Sequence, residues 1–185
     1  SAFVDLVHQA QLEITGAQVS LAAPLTFAAR IEGGDVFVRD MFKLYRYENL
    51  LYVLRMKGHE IKSFLEMSYG LWTHQMQTPD DHLLWLEYVL GEGSRLGFKN
   101  LAYNFDSAAG IRYTVDVTKP MGEKVQILSM ADGSPFHEDA DYQVVTNSYR
   151  GNGGGELMTK GAGIDHASLE ERLIWSSEND HRYYL

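Results

Sequence analysis

Four glycines fall within five residues at Gly151-Asn152-Gly153-Gly154-Gly155, just after the apolar run Tyr142–Thr146. Glycine loses more conformational freedom on folding than any other residue, so such a run is tolerated where the backbone takes positive φ or comes close to a ligand. The segment could aim successive N–H groups at an anion or at the polar edge of a ring. A flexible surface turn is the other reading of the same residues. The segment is neither a Walker loop, since no Gly-Lys-Ser/Thr follows, nor a dinucleotide fingerprint, since the spacing differs. Tyr149 stands just before it, and Tyr47, in Tyr45-Arg46-Tyr47-Glu48-Asn49, stands just before the apolar run from Leu50. Two aromatics at strand–loop junctions can sandwich a flat ring, a contact worth about 1–3 kcal/mol per base. Each could equally be a core or edge residue in a chain with 11 Tyr, 8 Phe and 3 Trp.

The other chemistry-bearing residues do not group. His8, His59, His74, His82, His137, His166 and His181 are scattered. None forms a His-x-x-x-His pair or an Asn-His-Glu setting, so no zinc or two-metal site is expected in this chain. Asp80-Asp81 and Glu138-Asp139 read as solvated turns, and Ser148 lacks a nucleophile elbow. No catalytic residue is therefore assigned. A net charge of −9 argues against a nucleic-acid polymer as partner, though not against a single nucleotide held locally. With no cysteine, disulfides and thiolate metal sites are excluded. No apolar run reaches the ~18 residues of a membrane span. The first residues lack the basic start and apolar core of a signal peptide, and a removed leader would leave no trace.

The elements that must position these residues follow from periodicity. Phe3, Val4, Leu6, Val7, Ala10, Leu12 and Ile14 recur at helical spacing, which predicts a helix over 2–15 ended by Gly16. Val19–Ala23 reads as a buried strand, Glu32-Gly33-Gly34-Asp35 as a turn and Val38–Leu44 as a helix. Leu50–Met56 reads as a strand that turns through Lys57-Gly58-His59-Glu60 into a helix carrying Ile61, Phe64, Leu65 and Leu71. Residues 73–100 read as irregular or locally helical. Ile111–Val117 and Val125–Met130 form a hairpin with a long loop, Asp132-Gly133 makes a tight turn, and Tyr142–Thr146 is a further strand. The tail reads as a strand over Leu169–Trp175 and a helix from Ser177, with Ser177 as its cap. The chain of 185 residues fits one domain. Its hairpin-linked strands favour an α+β fold of mixed sheets layered with helices over a doubly wound parallel sheet.

The order of these pieces resembles the C-terminal domain of the 5'-nucleotidase / UDP-sugar hydrolase / 2',3'-cyclic-nucleotide phosphodiesterase family. The matching stretches are Val36–Gly58, Gly110–Val125 and Tyr142–Leu157, within about Val19–Leu157. The resemblance implies a substrate-binding domain of a larger two-domain protein whose N-terminal metallophosphoesterase domain lies outside this chain. That domain would hold two divalent metals and perform the hydrolysis, while this chain grips a nucleotide. It implies that Tyr47 and Tyr149 clamp the base, that Asn49 takes the base-contacting place, and that Asn152, Gly153, Gly154 and Gly155 form the loop beside the sugar. It also implies a periplasmic or cell-surface location. The family's ribose-holding Asp falls on Gly155, with Glu156 beside it. Its Asn-Gly-Gly-Gly-Ile-Arg segment falls on Ala23–Ala28, with Arg30 two residues on. An interaction module that has lost nucleotide binding is the rival reading. A free-standing enzyme built on histidine and carboxylate groups is a third.

Overall fold

The computed structural model describes residues 2–25, 31, 33–35, 37–89 and 95–185. Helix α1 (Ala2–Thr15) turns Val4 and Val7 inward and ends at Gly16, whose φ of 65° suits glycine. It leads into β1 (Val19–Ala22), which is buried throughout. Helix α2 (Val38–Leu44) starts where Asp40 accepts from the Phe37 N–H at 3.0 Å. Strand β2 (Leu50–Lys57) runs into α3 (Gly58–Trp72), where Glu60 accepts from the Lys57 N–H at 2.7 Å. The hairpin β3 (Leu86–Val89) and β4 (Arg95–Phe98) follows, then β5 (Ser107–Ala109), β6 (Ile111–Val115), β7 (Val125–Met130) and β8 (Asp141–Asn147). The chain ends with the helical turn α4 (Ser148–Gly151), a π-helical turn over Leu157–Gly161, α5 (Leu169–Arg172), β9 (Leu173–Asp180) and α6 (His181–Tyr184).

The main sheet has the order β5-β1-β8-β2-β9. Only β1 and β8 run parallel; the other pairs are antiparallel. Along β2 the side chains alternate between two cores. Leu54 and Met56 join Ile61, Phe64 and Leu65 of α3, together with Val144 and Leu157. Leu51 and Val53 join Val145 and Ala17, with Leu12, Ile14 and Tyr184 packed against them. Both faces of the sheet are thus covered, by α3 on one side and by the two chain ends on the other. The β6–β7 ribbon is tied to α3 by buried Glu66, whose carboxylate accepts from the N–H groups of Gly122, Lys124 and Val125 at 2.8, 3.1 and 2.6 Å.

Two expectations need correction. Residues 73–100 hold an antiparallel ribbon, β3–β4, rather than irregular or helical chain. Tyr88 and Leu96 of that ribbon are exposed while Phe98 packs edge-on against Phe105, so the inward face is too short to impose the alternation that marks a strand. The tail is shifted: Leu169–Arg172 is a helical turn and the strand runs on to Asp180. Ser177 lies within that strand and caps nothing. Its hydroxyl accepts from the Leu51 N–H at 2.8 Å, while Asp180 caps α6 by accepting from the Arg182 N–H at 2.9 Å. Glu32 of the expected turn lies outside the described residues.

Candidate ligand-binding site

The register Leu51↔Asn147 places the start of β2 and the end of β8 side by side. The segments on either side of that junction carry both tyrosines. Ser148 accepts from the Leu50 N–H at 3.1 Å, and the Asn49 carbonyl accepts from the His181 N–H at 2.8 Å. Asn147 caps α4 by accepting from the Arg150 N–H at 2.8 Å. Beneath them lies Tyr45, fully buried against His181 with ring centroids 4.4 Å apart. Burial pushes the Tyr45 hydroxyl up to about 12, partly offset by hydrogen bonds from Asn49 and Asn147. It therefore stays protonated at physiological pH and holds the Asn49 amide, whose Nδ2 donates to it at 3.3 Å.

These contacts leave a cleft of about 200 Å³ lined by Leu25, Tyr47, Asn49, Tyr103, Asn147 and Tyr149. Three of the residues singled out in sequence, Tyr47, Asn49 and Tyr149, thus converge. Tyr103 joins them without any local signal in the sequence. Its ring stands edge-on to Tyr47 (centroids 6.4 Å, 70°) and to Tyr149 (6.3 Å, 82°). Arg46 lies over the Tyr47 ring at 5.1 Å and Arg150 over the Tyr149 ring at 5.5 Å.

The glycine segment does not line this cleft. Asn152 faces a separate groove with Tyr52, His166 and Leu169. The N–H groups of Asn152, Gly153 and Glu156 donate to Ser148, Arg150 and Gly153 carbonyls nearby, so they do not point outward as an anion nest would. The glycines act from behind instead. A Cβ on Gly154 would lie 2.5 Å from the Tyr149 ring, and one on Gly155 would strike Asn104 and the Arg150 guanidinium. Glycine is what lets the chain fold under these two side chains.

Arg150 is 1% exposed, and all five of its N–H donors are used. Nε and Nη2 grip the Asp106 carboxylate at 3.1 and 2.7 Å, Nη2 also reaches the Tyr103 carbonyl at 2.9 Å, and Nη1 meets Asn104 and the Gly154 carbonyl. Asp106 is equally buried. No sequence motif marks this pair, which the fold alone brings together.

Glu156, next to the glycines, is the one non-glycine residue with positive φ (63°) among those described. A side chain there crowds its own carbonyl, at a cost of roughly 1–2 kcal/mol. Its ion pair with Lys160 at 2.8 Å is exposed at both ends, and such pairs stabilise little. Glu156→Gly is expected to raise unfolding stability by about 0.5–1 kcal/mol after glycine's own entropy cost, read by urea denaturation. A loss of stability would show that the conformation is not strained.

Among the described residues, no group of three or more His, Cys, Asp or Glu side chains could hold a metal ion, and no helix is long and apolar enough to cross a membrane.

A slot walled by aromatic rings with amide groups at its edge suits a flat ring as ligand. The chain belongs to the family described as 5'-nucleotidase, C-terminal domain, which matches residues 1–161. It is 31% identical over 161 residues to the trifunctional nucleotide phosphoesterase protein YfkN of Bacillus subtilis, covering 80% of this chain and 10% of that protein. It is 30% identical over 174 residues to the 2',3'-cyclic-nucleotide 2'-phosphodiesterase/3'-nucleotidase of Salmonella typhimurium, covering 83% of this chain and 25% of that protein. The fold matches that of a Staphylococcus aureus protein described as a 5'-nucleotidase in complex with alpha-ketoglutarate. There the TM-score is 0.74 and the identity 21%, over 99% of this chain and 32% of that one. The chain thus spans a third or less of each of these proteins.

Proposed function

We propose that this chain is the substrate-recognition domain of a 5'-nucleotidase-type phosphoesterase. It stacks a nucleobase between Tyr47 and Tyr149, contacts it through Asn49, and presents the phosphate to two divalent metals in an N-terminal metallophosphoesterase domain. The observation that carries this reading is the meeting of Tyr47, Asn49 and Tyr149 at one cleft. The family supports it too, since the Bacillus and Salmonella relatives are described as acting on nucleotide phosphoesters. In this division of labour the two metals, held by the other domain, would supply Lewis-acid polarisation of the phosphate and an activated water. This chain's residues hold and orient the organic part, and closure of one domain on the other joins the two halves of the site. On this reading the chain alone is catalytically silent and works outside the cytoplasm, a location that the family resemblance supports.

Adenosine and AMP titrated into the chain test the clamp. Tyr47→Ala and Tyr149→Ala are each expected to weaken binding by about tenfold, the loss of one stacking face. Unchanged affinity in both variants would end the reading. Phosphatase assays of the chain with added Mn²⁺ or Zn²⁺ are expected to show no turnover, and robust turnover would place catalysis here after all. Gly155 in place of the family's Asp favours a second reading, an interaction module without nucleotide binding. Adenosine binding by the wild-type chain decides against it.

A further inference from the structure

We infer that Tyr103 is the end wall of the slot and selects the ligand by size. It admits a one- or two-ring heteroaromatic base and turns away one with a bulky group on the edge that enters first. The inference rests on the ring-binding reading above and assigns a specificity-determining residue to it.

Tyr103 touches both flanking rings, at 6.4 and 6.3 Å between centroids, so on its side the gap between Tyr47 and Tyr149 is filled by aromatic carbon. The space left is about 200 Å³. That is below the ~300–1,000 Å³ of sites that enclose a drug-sized ligand, so the cleft houses a ring and leaves sugar and phosphate outside.

The wall cannot easily retreat, because its backbone is fixed on three sides. Tyr103 lies in the 3-10 turn Ala102–Asn104, and its carbonyl accepts from Arg150 Nη2 at 2.9 Å. Phe105, two residues on, is fully buried and stacks on Trp72 with centroids 5.2 Å apart and planes 11° apart. Asp106 is held by Arg150 through its side chain and by the Ser68 hydroxyl, which donates to its carbonyl at 2.7 Å. A ring carried on such a turn changes position only by side-chain rotation. Rotation would forfeit both edge-to-face contacts, each worth about 0.5–1.5 kcal/mol. Arg150 is thus a positioning residue for two walls at once, carrying Tyr149 as its chain neighbour and Tyr103 through its carbonyl.

The experiment is a titration of the 185-residue chain with adenosine and with 8-bromoadenosine, N6-benzyladenosine and 2-phenylaminoadenosine, which place a substituent on each free edge of the purine in turn. At least one analogue is expected to bind the wild type about tenfold more weakly than adenosine, the scale on which a pocket rejects added bulk. Tyr103→Ala is expected to erase that difference, while Tyr103→Phe, which keeps the ring, preserves it. Tyr103→Trp serves as a second variant should the alanine chain fail to fold. It narrows the slot and is expected to weaken adenosine more than cytidine. If all analogues bind the wild type as adenosine does, or if their ratios are the same in Tyr103→Ala, the end-wall assignment is wrong while the clamp stands. If adenosine itself does not bind the wild type, the ring-binding reading fails and this inference with it.

Discussion

Arg150→Met is expected to lower the stability of the chain by about 3–5 kcal/mol, the usual cost of removing one partner from a fully buried ion pair. The arginine and its partner Asp106 are each 1% exposed, so the variant leaves a carboxylate in the interior without a counter-charge. The carbonyls of Tyr103 and Gly154 lose their donor as well. An unpaired buried acceptor costs about 1–3 kcal/mol, so the lower end of the range already allows for relaxation. Arg150→Met combined with Asp106→Leu is expected to recover much of the loss, because the charge is removed along with its partner. Urea unfolding of the two variants checks both statements. A single variant within 1 kcal/mol of wild type would mean that Asp106 is solvated in solution. The same denaturation series should be paired with adenosine titration, since the arginine holds two walls of the cleft.

The second large effect is on the pH dependence of stability. Burial pushes His8 and His181 down to about 4, and the nearby carboxylates Asp5 and Asp180 pull each back up. The unfolded chain binds these protons near pH 6.5 and the folded chain only near pH 4, so the unfolded state is favoured as pH falls between those values. Stability is therefore full above about pH 6.5 and declines towards pH 4, by about 3 kcal/mol for each histidine. The carboxylates held below their ordinary value, among them Asp40, Asp116 and Asp180, act in a lower window and leave this one to the histidines. His181 is the cleaner probe. Its ring packs on Tyr45, and neither ring nitrogen has a hydrogen-bond partner among the described residues. His181→Phe keeps the ring and is expected to be at least as stable as wild type at pH 7 and clearly more stable at pH 4.5. Equal slopes for the two chains between those pH values would sink the prediction. His8 differs, because its Nδ1 and Nε2 are matched to the Ser20 and Ser107 hydroxyls at 2.7 and 3.0 Å. Replacing it removes a hydrogen-bond network as well as a titration.

Much of the fold was legible because burial is one-sided or periodic where the sheet is made. Helix α1 shows its inward stripe, and the β6–β7 hairpin shows its turn residues. What was illegible has a common physical origin in the shortness of the buried face. The β3–β4 ribbon exposes Tyr88 and Leu96, and β9 leaves Ile174 and Trp175 exposed at the sheet edge. The ribbon was therefore not read as strand, and the strand read at Leu169–Trp175 was set too early in the chain. At the site, Tyr47 and Tyr149 could be named because each adjoins a readable strand, and Asn49 through the family resemblance. Tyr103, Asp106 and the buried end of Arg150 could not, since long-range pairing leaves no trace in spacing. The glycines were read as a backbone that takes positive φ or comes close to a ligand, and Gly153 and Gly155 do take positive φ. Two of them, Gly154 and Gly155, come close to Tyr149 and Arg150.

The position of β8 also sets the timing of assembly. It lies between β1 and β2 in the main sheet, yet it is the last but one of the described strands to be made. While a ribosome builds the chain, β1 and β2 share no partner until residues 141–147 emerge, and pairing over such separations is slow. Until then the apolar residues Val19, Leu21, Leu51 and Val53 sit on strands with an open edge, the condition under which nascent chains stick to one another. The strand that ends in Asn147 and hands the chain to Tyr149 therefore decides when the two halves become one sheet. The cleft lined by Asn147 and Tyr149 is not closed before that moment.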